Sequence, residues 1–164
     1  MEKYELMFKS QNINYVKLSE NLINDYLIMV NDPEVASKIS HKVRTFSYEE
    51  EKEWVREKLK GNATCYSMLE KKTNEFIGNI EIMHINNGVG EIGISITPKK
   101  QNMHYGTEAM KAIIKYGYTK LNLKGFELNV YATNSRAIHC YENVGFVKDG
   151  LAKHEDDIHM IYNK

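Results

Sequence analysis

The stretch ISITPKKQNMHYGTEAMKAIIKYGY, Ile94 to Tyr118, constrains the chain more than any other. Its two halves follow different periods. Ile94 and Ile96 alternate with Ser95 and Thr97, the period of a strand, and Pro98 stops the ladder because it has no N–H to give. From Thr107 the apolar positions become Ala109, Met110, Ile113, Ile114, Gly117 and Leu121, the single buried stripe of a helix. Lys99 to Gly106 join the two halves as a polar loop. A loop that opens a helix presents free backbone N–H groups, and the helix dipole adds partial positive charge there. Such a place attracts anions, phosphates above all. Lys99 and Lys100 add formal charge beside it.

A chain of 164 residues is expected to form one domain, 1–164, with a core that needs no covalent staples. Lysine plus arginine equals aspartate plus glutamate, 22 each, so charge supports neither nucleic-acid nor membrane-surface binding. Cys65 and Cys140 have neither disulfide-framework nor metal-ligand spacing, which fits a reducing compartment. The first residues, MEKYELMFKSQ, lack the apolar run of a signal peptide, and no apolar stretch approaches the ~20 residues that span a bilayer. The expectation is a cytoplasmic protein.

Several further elements are legible. Ile13 to Leu18 suggest a first strand, and Ser19 caps a helix with Leu22, Ile23, Tyr26, Leu27 and Val30 at helical spacing. Asn31-Asp32-Pro33 ends it, and 34–46 read as polar and irregular. Ser47-Tyr48-Glu49-Glu50 is a capping box. It opens a helix expected to bury Trp54, Val55 and Leu59, stop near Gly61, and keep Glu49–Glu51 as a solvated first turn. CYSMLEKK and EFIGNIEIMHI flank a Lys72-Thr73-Asn74 turn, and Asn86-Asn87-Gly88 turns the chain into GEIGISIT. These strands carry apolar residues on both faces, so the sheet should be covered on both sides. FELNVYA is a strand, SRAIHCYENVGF a helix with Asn134 or Ser135 at its start and Gly145 at its end. Short strands follow around Phe146–Leu151 and Ile158–Tyr162.

Two motifs then coincide: Gln101-Asn102-Met103-His104-Tyr105-Gly106-Thr107-Glu108-Ala109 and Asn134-Ser135-Arg136-Ala137-Ile138-His139-Cys140-Tyr141-Glu142-Asn143-Val144-Gly145-Phe146. Together they resemble the GNAT family, the N-acetyltransferases that move an acetyl group from acetyl-CoA to an amine. The second motif matches the family's N-x-x-A-x-x-x-Y-x-x-x-G-F throughout. The first keeps Gln101 and Gly106 of Q/R-x-x-G-x-G/A, but His104 stands where a glycine is usual and Asn102 replaces another frequent glycine. The look is loosely of the ribosomal-protein and polyamine acetyltransferase branches.

The resemblance implies an α/β fold with a central mixed, mostly antiparallel sheet of about six to seven strands and helices on both faces. It implies acetyl-CoA as cosubstrate, no metal, and a small-molecule amine or peptide N-terminus as acceptor, and it allows a homodimer. The pyrophosphate would lie against backbone N–H groups of Gln101, Asn102, Met103, His104, Tyr105, Gly106 and Thr107. The pantetheine arm would pair with Ile94, Ser95 and Ile96 as an added strand does. Asn134 opens the second helix, and Tyr141, seven residues on and nearly on the same helical face, would protonate the departing thiolate.

Each assignment has a plainer alternative. Tyr141 is one of eleven tyrosines, and a helical tyrosine is commonly only packed. Glu81 and Glu91 are strand carboxylates able to serve as the base, directly or through water, with His84 a third candidate. Glu81 shares a face with Ile77, Met83 and Ile85 if alternation holds, where a structural salt bridge serves equally well. His154 and His159 are five apart on a strand and face opposite sides, which argues against a metal. Cys140 reads as a buried small residue. A histidine at 104 either forces the loop to rearrange or sits in an allowed region with its ring turned outward. Two classes of function remain, an N-acetyltransferase and a GNAT-like module that binds acyl-CoA without turnover. A dinucleotide oxidoreductase is disfavoured, because no G-x-G-x-x-G follows a strand.

Overall fold

The structure is a computed structural model and describes residues 3–39, 44–150 and 156–162. Among the described residues eight strands hydrogen-bond in the order β1-β2-β3-β4-β5-β6-β8-β7. They are β1 (Leu6–Lys9), β2 (Ile13–Lys17), β3 (Cys65–Glu70), β4 (Phe76–Asn86), β5 (Val89–Ile96), β6 (Gly125–Tyr131), β7 (Phe146–Lys148) and β8 (Asp157–Tyr162). The helices are α1 (Ile23–Val30), α2 (Pro33–Ile39), α3 (Tyr48–Lys60), α4 (Tyr105–Lys120) and α5 (Ser135–Val144). The mixed, mostly antiparallel α/β sheet is as expected, with more strands than the sequence suggested. The described residues form two compact units, one reaching to Glu81 and taking in Ile94–Tyr105, the other made of Ile82–Gly93 and the residues from Gly106 onward.

In the first unit, β1 to β3 and the start of β4 are antiparallel neighbours. Five consecutive residues of β3, Cys65 to Leu69, are buried, so both of its faces lie in apolar surroundings. One face meets α1, α2 and α3 through a cluster that includes Val16, Leu22, Ile23, Tyr26, Val55, Leu69 and Phe76. Each large side chain buried this way is worth roughly 1.5–3 kcal/mol. Tyr26 carries a hydroxyl into that cluster and keeps it bonded, to Ser67 Oγ at 2.5 Å and from the Ser19 N–H at 3.2 Å. Its burial pushes the phenol up to about 12.

Four expectations for this unit need correction. Residues Leu6–Lys9 form a strand that the sequence did not announce, paired with β2. Pro33 starts a helix as well as ending one: Asp32 Oδ2 accepts the Val35 N–H at 3.1 Å, so Asp-Pro is an N-cap followed by a proline whose missing N–H costs nothing at the first turn. The capping box at Ser47 and Glu50 forms as expected, but Leu59 is 48 % exposed while Glu51 is buried. Burial, followed by the charge of Glu50, raises the Glu51 carboxyl.

The second unit holds the ends of β4 and β5 around the turn at Asn87 (φ 53°) and Gly88 (φ 80°), the two left-handed residues of a tight hairpin. β5 runs parallel to β6, with Val89, Gly90 and Glu91 opposite Gly125, Phe126 and Glu127. β8 pairs with β6 and β7 in antiparallel fashion. Phe126, Leu128 and Val130 are buried on one face of β6, and the Phe126 ring fills the space beside Gly117 of α4. The other face of β6 carries Glu127, Asn129 and Tyr131. Among the described residues no helix is long and apolar enough to cross a membrane.

Candidate functional site

Within the first unit, β5 ends at Ile94-Ser95-Ile96, all partly exposed. The Thr97 N–H donates to Ile77 O at 2.9 Å, and a Cβ on Gly78 would sit 2.0 Å from Ser95 O. Only glycine allows these two backbones so close. A short 3₁₀ turn, Pro98–Lys100, follows, and the Gln101 side chain donates back to Ile96 O at 3.0 Å. Asn102 (φ 63°) and His104 (φ 65°) are both left-handed, with Met103 between them 49 % exposed. α4 begins at Tyr105, two residues before the expected Thr107.

The loop therefore keeps at His104 the backbone form a glycine adopts without cost, and the ring is exposed. Histidine and asparagine enter the left-handed region more readily than most residues, at a cost of about 1–2 kcal/mol against glycine. The second of the two alternatives is the one met: His104 lies in the small allowed left-handed region with its ring turned outward.

Lys100 and Tyr105, like Gln101, bind their own scaffold. Tyr105 donates its hydroxyl to Glu70 Oε2, which also receives Lys100 Nζ at 3.3 Å, and Glu70 Oε1 accepts from Thr73 Oγ1 at 2.7 Å. Lys100 reaches Glu75 Oε1 at 2.7 Å and is 11 % exposed. These bonds, Tyr105 foremost and then Thr73, hold the Glu70 carboxyl at about 2. Lys100 is consequently the counter-ion of the β3–β4 hairpin, so the formal charge it adds beside the loop is already paired with Glu70 and Glu75. Glu81 pairs with Lys58 at 3.2 Å, the structural arrangement its sequence context left open.

The second unit holds Gly106, Thr107, Asn134, Tyr141 and Glu91. Thr107 Oγ1 lies 3.4 Å from Cys140 Sγ. Asn134 caps α5, its Oδ1 accepting the Ala137 N–H at 3.4 Å, and Gly145 ends the helix at φ 127°. Between them Tyr141 is partly buried, 6.3 Å from Phe146 centroid to centroid, and no described side chain hydrogen-bonds its hydroxyl. Burial, with the Cys140 thiol adding to it, pushes the phenol above its ordinary value and keeps the proton on oxygen. Cys140 itself is only partly buried, more accessible than expected.

Glu91 is held from two sides, by His84 Nδ1 at Oε1 (3.0 Å) and by Asn129 Nδ2 at Oε2 (3.3 Å). His84, two residues before the end of β4, takes φ 48° and breaks the alternation, so that His84, Ile85 and Asn86 are all exposed. His159 is buried with Asp149 on Nδ1 at 2.7 Å and Glu127 on Nε2 at 3.2 Å. Burial would pull its pKa down, but the two carboxylates outweigh it and the pKa is raised. His154 lies outside the described residues. Sequence reasoning missed Asn129, Glu70 and Asp149 as partners. Polar positions alternating with Phe126, Leu128 and Val130 were the available signal for Asn129, whereas nothing local marks Glu70 or Asp149.

Residues 13–147 match the family model described as the acetyltransferase (GNAT) domain. An uncharacterized N-acetyltransferase, p20 of Bacillus licheniformis, is 33% identical over 97 residues, covering 58% of this chain and 54% of that protein. Spermidine N(1)-acetyltransferase of Vibrio cholerae is 30% identical over 106 residues, 63% of this chain and 61% of that one. The match thus spans between half and two thirds of each of these curated relatives. A crystal structure of spermidine N-acetyltransferase from Vibrio cholerae in complex with CoA and spermine has the same fold, with a TM-score of 0.83 at 22% identity over 93% of this chain and 95% of that one.

Proposed function

This chain belongs to the GNAT acetyltransferase family, and from that premise we propose that it transfers an acetyl group from acetyl-CoA directly to a primary amine. The observation that carries an enzyme over a non-catalytic acyl-CoA-binding module is Tyr141. Its phenol is desolvated, its proton is retained, and no described side chain occupies it. A binding module would need no such group.

The residues divide the work. Backbone N–H groups from Gln101 to Thr107 receive the pyrophosphate, with the start of α4 supplying dipole charge. The ladder between β5 and β6 among the described residues is registered from Val89 to Glu91, and Ile94-Ser95-Ile96 offer main-chain groups to the pantetheine amides. A neutral amine attacks the thioester carbonyl carbon, the C–N bond forms, and the C–S bond breaks. Tyr141 protonates the thiolate, and the tyrosinate recovers a proton from the new amide nitrogen. The amine must first lose its own proton to a strand carboxylate or through water. Lys58 on Glu81 makes Glu81 the less available of the candidates for that part.

For the acceptor we place polyamines first, on the names of the relatives, and a cytoplasmic location goes with two unpaired cysteines. The test is thiol release from acetyl-CoA against polyamines, aminoglycosides, amino acids and N-terminal peptides, run beside thermal shift with CoA and with adenosine. Stabilisation by CoA of ~2.7 kcal/mol at a hundredfold excess over Kd, together with turnover of one amine class, is the expected result. Stabilisation without turnover on any amine selects the binding module, and no response to CoA removes both.

A further inference from the structure

The group formed by His84, Glu91 and Asn129 has a direction. Glu91 is 14 % exposed in its side chain, and both its oxygens are engaged, Oε1 by His84 and Oε2 by Asn129. His84 is 71 % exposed. A carboxylate on Nδ1 fixes the imidazole tautomer and orients the ring, leaving Nε2 as the nitrogen that exchanges protons. The member able to meet a substrate is therefore the histidine.

The backbone supports the same assignment independently. A histidine at φ 48° inside a strand is strained where a β-region residue would be relaxed. Strain of this kind persists where the surroundings over-determine it, often at working sites. Here it lifts His84 out of the alternation that would otherwise send neighbouring side chains to opposite faces.

Resting on the acetyltransferase reading, we infer that His84 is the group that takes the proton from the acceptor ammonium, with Glu91 and Asn129 as its positioning residues. The proton passes from R–NH3+ to Nε2, and the amine lone pair so freed attacks the thioester carbon. The imidazolium then releases its proton to water, so one turnover of an ammonium substrate yields amide, free thiol and one proton. Among the described residues the groups placed at the ring are the carboxylate of Glu91 from β5 and, through it, the neutral Asn129 from β6. Its neighbours on β4, Met83 and Ile85, carry no charge. Glu81, engaged by Lys58, takes no part.

The experiment measures kcat/KM from pH 6 to pH 10 for wild type, His84→Gly, His84→Gln and Glu91→Gln. Glycine suits φ 48°, so His84→Gly keeps the strand geometry while deleting the ring. The expected deficit for both His84 variants is about 10²-fold at neutral pH. It should narrow toward pH 10, where a primary amine is itself increasingly neutral, its pKa being about 10.4. Added imidazole should restore part of the His84→Gly rate, and Glu91→Gln should show a smaller loss with the same narrowing. A deficit that is constant with pH and unmoved by imidazole would make the histidine structural and overturn the assignment. Wild-type turnover of no amine would remove the underlying activity and this assignment with it.

Discussion

In the loop before α4 the side chains of Lys100, Gln101 and Tyr105 turn toward their own scaffold, while Asn102, Met103 and His104 stay exposed on a backbone that is left-handed at Asn102 and His104. Gln101 is tied to Ile96, Tyr105 and Lys100 to Glu70, and Lys100 again to Glu75. Around His84 the arrangement is reversed. There a distorted backbone and two polar neighbours, Glu91 and Asn129, hold one ring out to solvent. A site made of backbone tolerates a change of side chain as long as φ is kept, which is how His104 and Asn102 stand where glycines are usual. A site made of side chains has no such latitude.

The comparison can be broken at either end. The largest effect should come from a side chain, Tyr141→Phe, which deletes a proton donor without changing shape. Its kcat should fall ~10²-fold or more while CoA affinity, read by calorimetry, stays as it was. Unchanged turnover would mean that the ring is only packed. Next comes Gly78→Ala, which places a methyl against Ser95 O. Denaturant unfolding should show a loss of roughly 1–3 kcal/mol, because the obstacle is main chain and cannot swing aside.

Glu70→Gln sharpens the other side. It weakens the support of the loop without touching any group that would meet the ligand, so CoA affinity should fall about tenfold with kcat unaltered. It carries a pH signature as well. Folded Glu70 ionises at about 2 against its usual 4.5. Its contribution to stability is therefore complete above the usual value and fades as pH falls through about 2. Urea midpoints of wild type and variant should differ at pH 6 and converge in acid. The smallest effect belongs to His104→Gly. Relief of about 1–2 kcal/mol of strain opposes about 0.4–1 kcal/mol of added chain entropy, so stability should shift by only about 1 kcal/mol. CoA affinity should hold to within about threefold. A larger loss that deepens as pH falls would show the ring itself to be a phosphate ligand.

What could be read from the sequence follows the same division. Elements whose cause lies within a few residues were legible: the capping box at Ser47 and Glu50, the Asn87-Gly88 turn, and α5 between Asn134 and Gly145. Elements whose cause is remote were not. Leu6–Lys9 is too short to show a period and is a strand only because β2 pairs with it. The pairing of Lys100 with Glu70 could not be seen because the two lie thirty positions apart. Glu51 sits in a run of solvated acids and is buried by its place in α3. Asp32-Pro33 carries both senses, a stop for α1 and a start for α2, and the second shows in the Asp32 cap on the Val35 N–H. For the candidate site, the motif pointed to Tyr141 through its neighbours in sequence. The pairing of His84 with Glu91 needed the turn between β4 and β5 to be closed.

The two thiols give the chain a built-in pair of chemical reporters. Cys65 is 5 % exposed in the first unit, and burial, with the neighbouring Glu81 carboxylate, pushes its thiol far up. A thiol reagent reacts with the thiolate, so labelling of Cys65 must wait for the strand to open and its rate counts those openings. Cys140, in the second unit, is partly exposed, against Thr107 and next in sequence to Tyr141. Its labelling reads the surroundings of that tyrosine with the fold intact. One reagent and a mass spectrum therefore time two separate motions in an unmodified protein, and a bound ligand that protects one cysteine and spares the other reveals which unit it steadies.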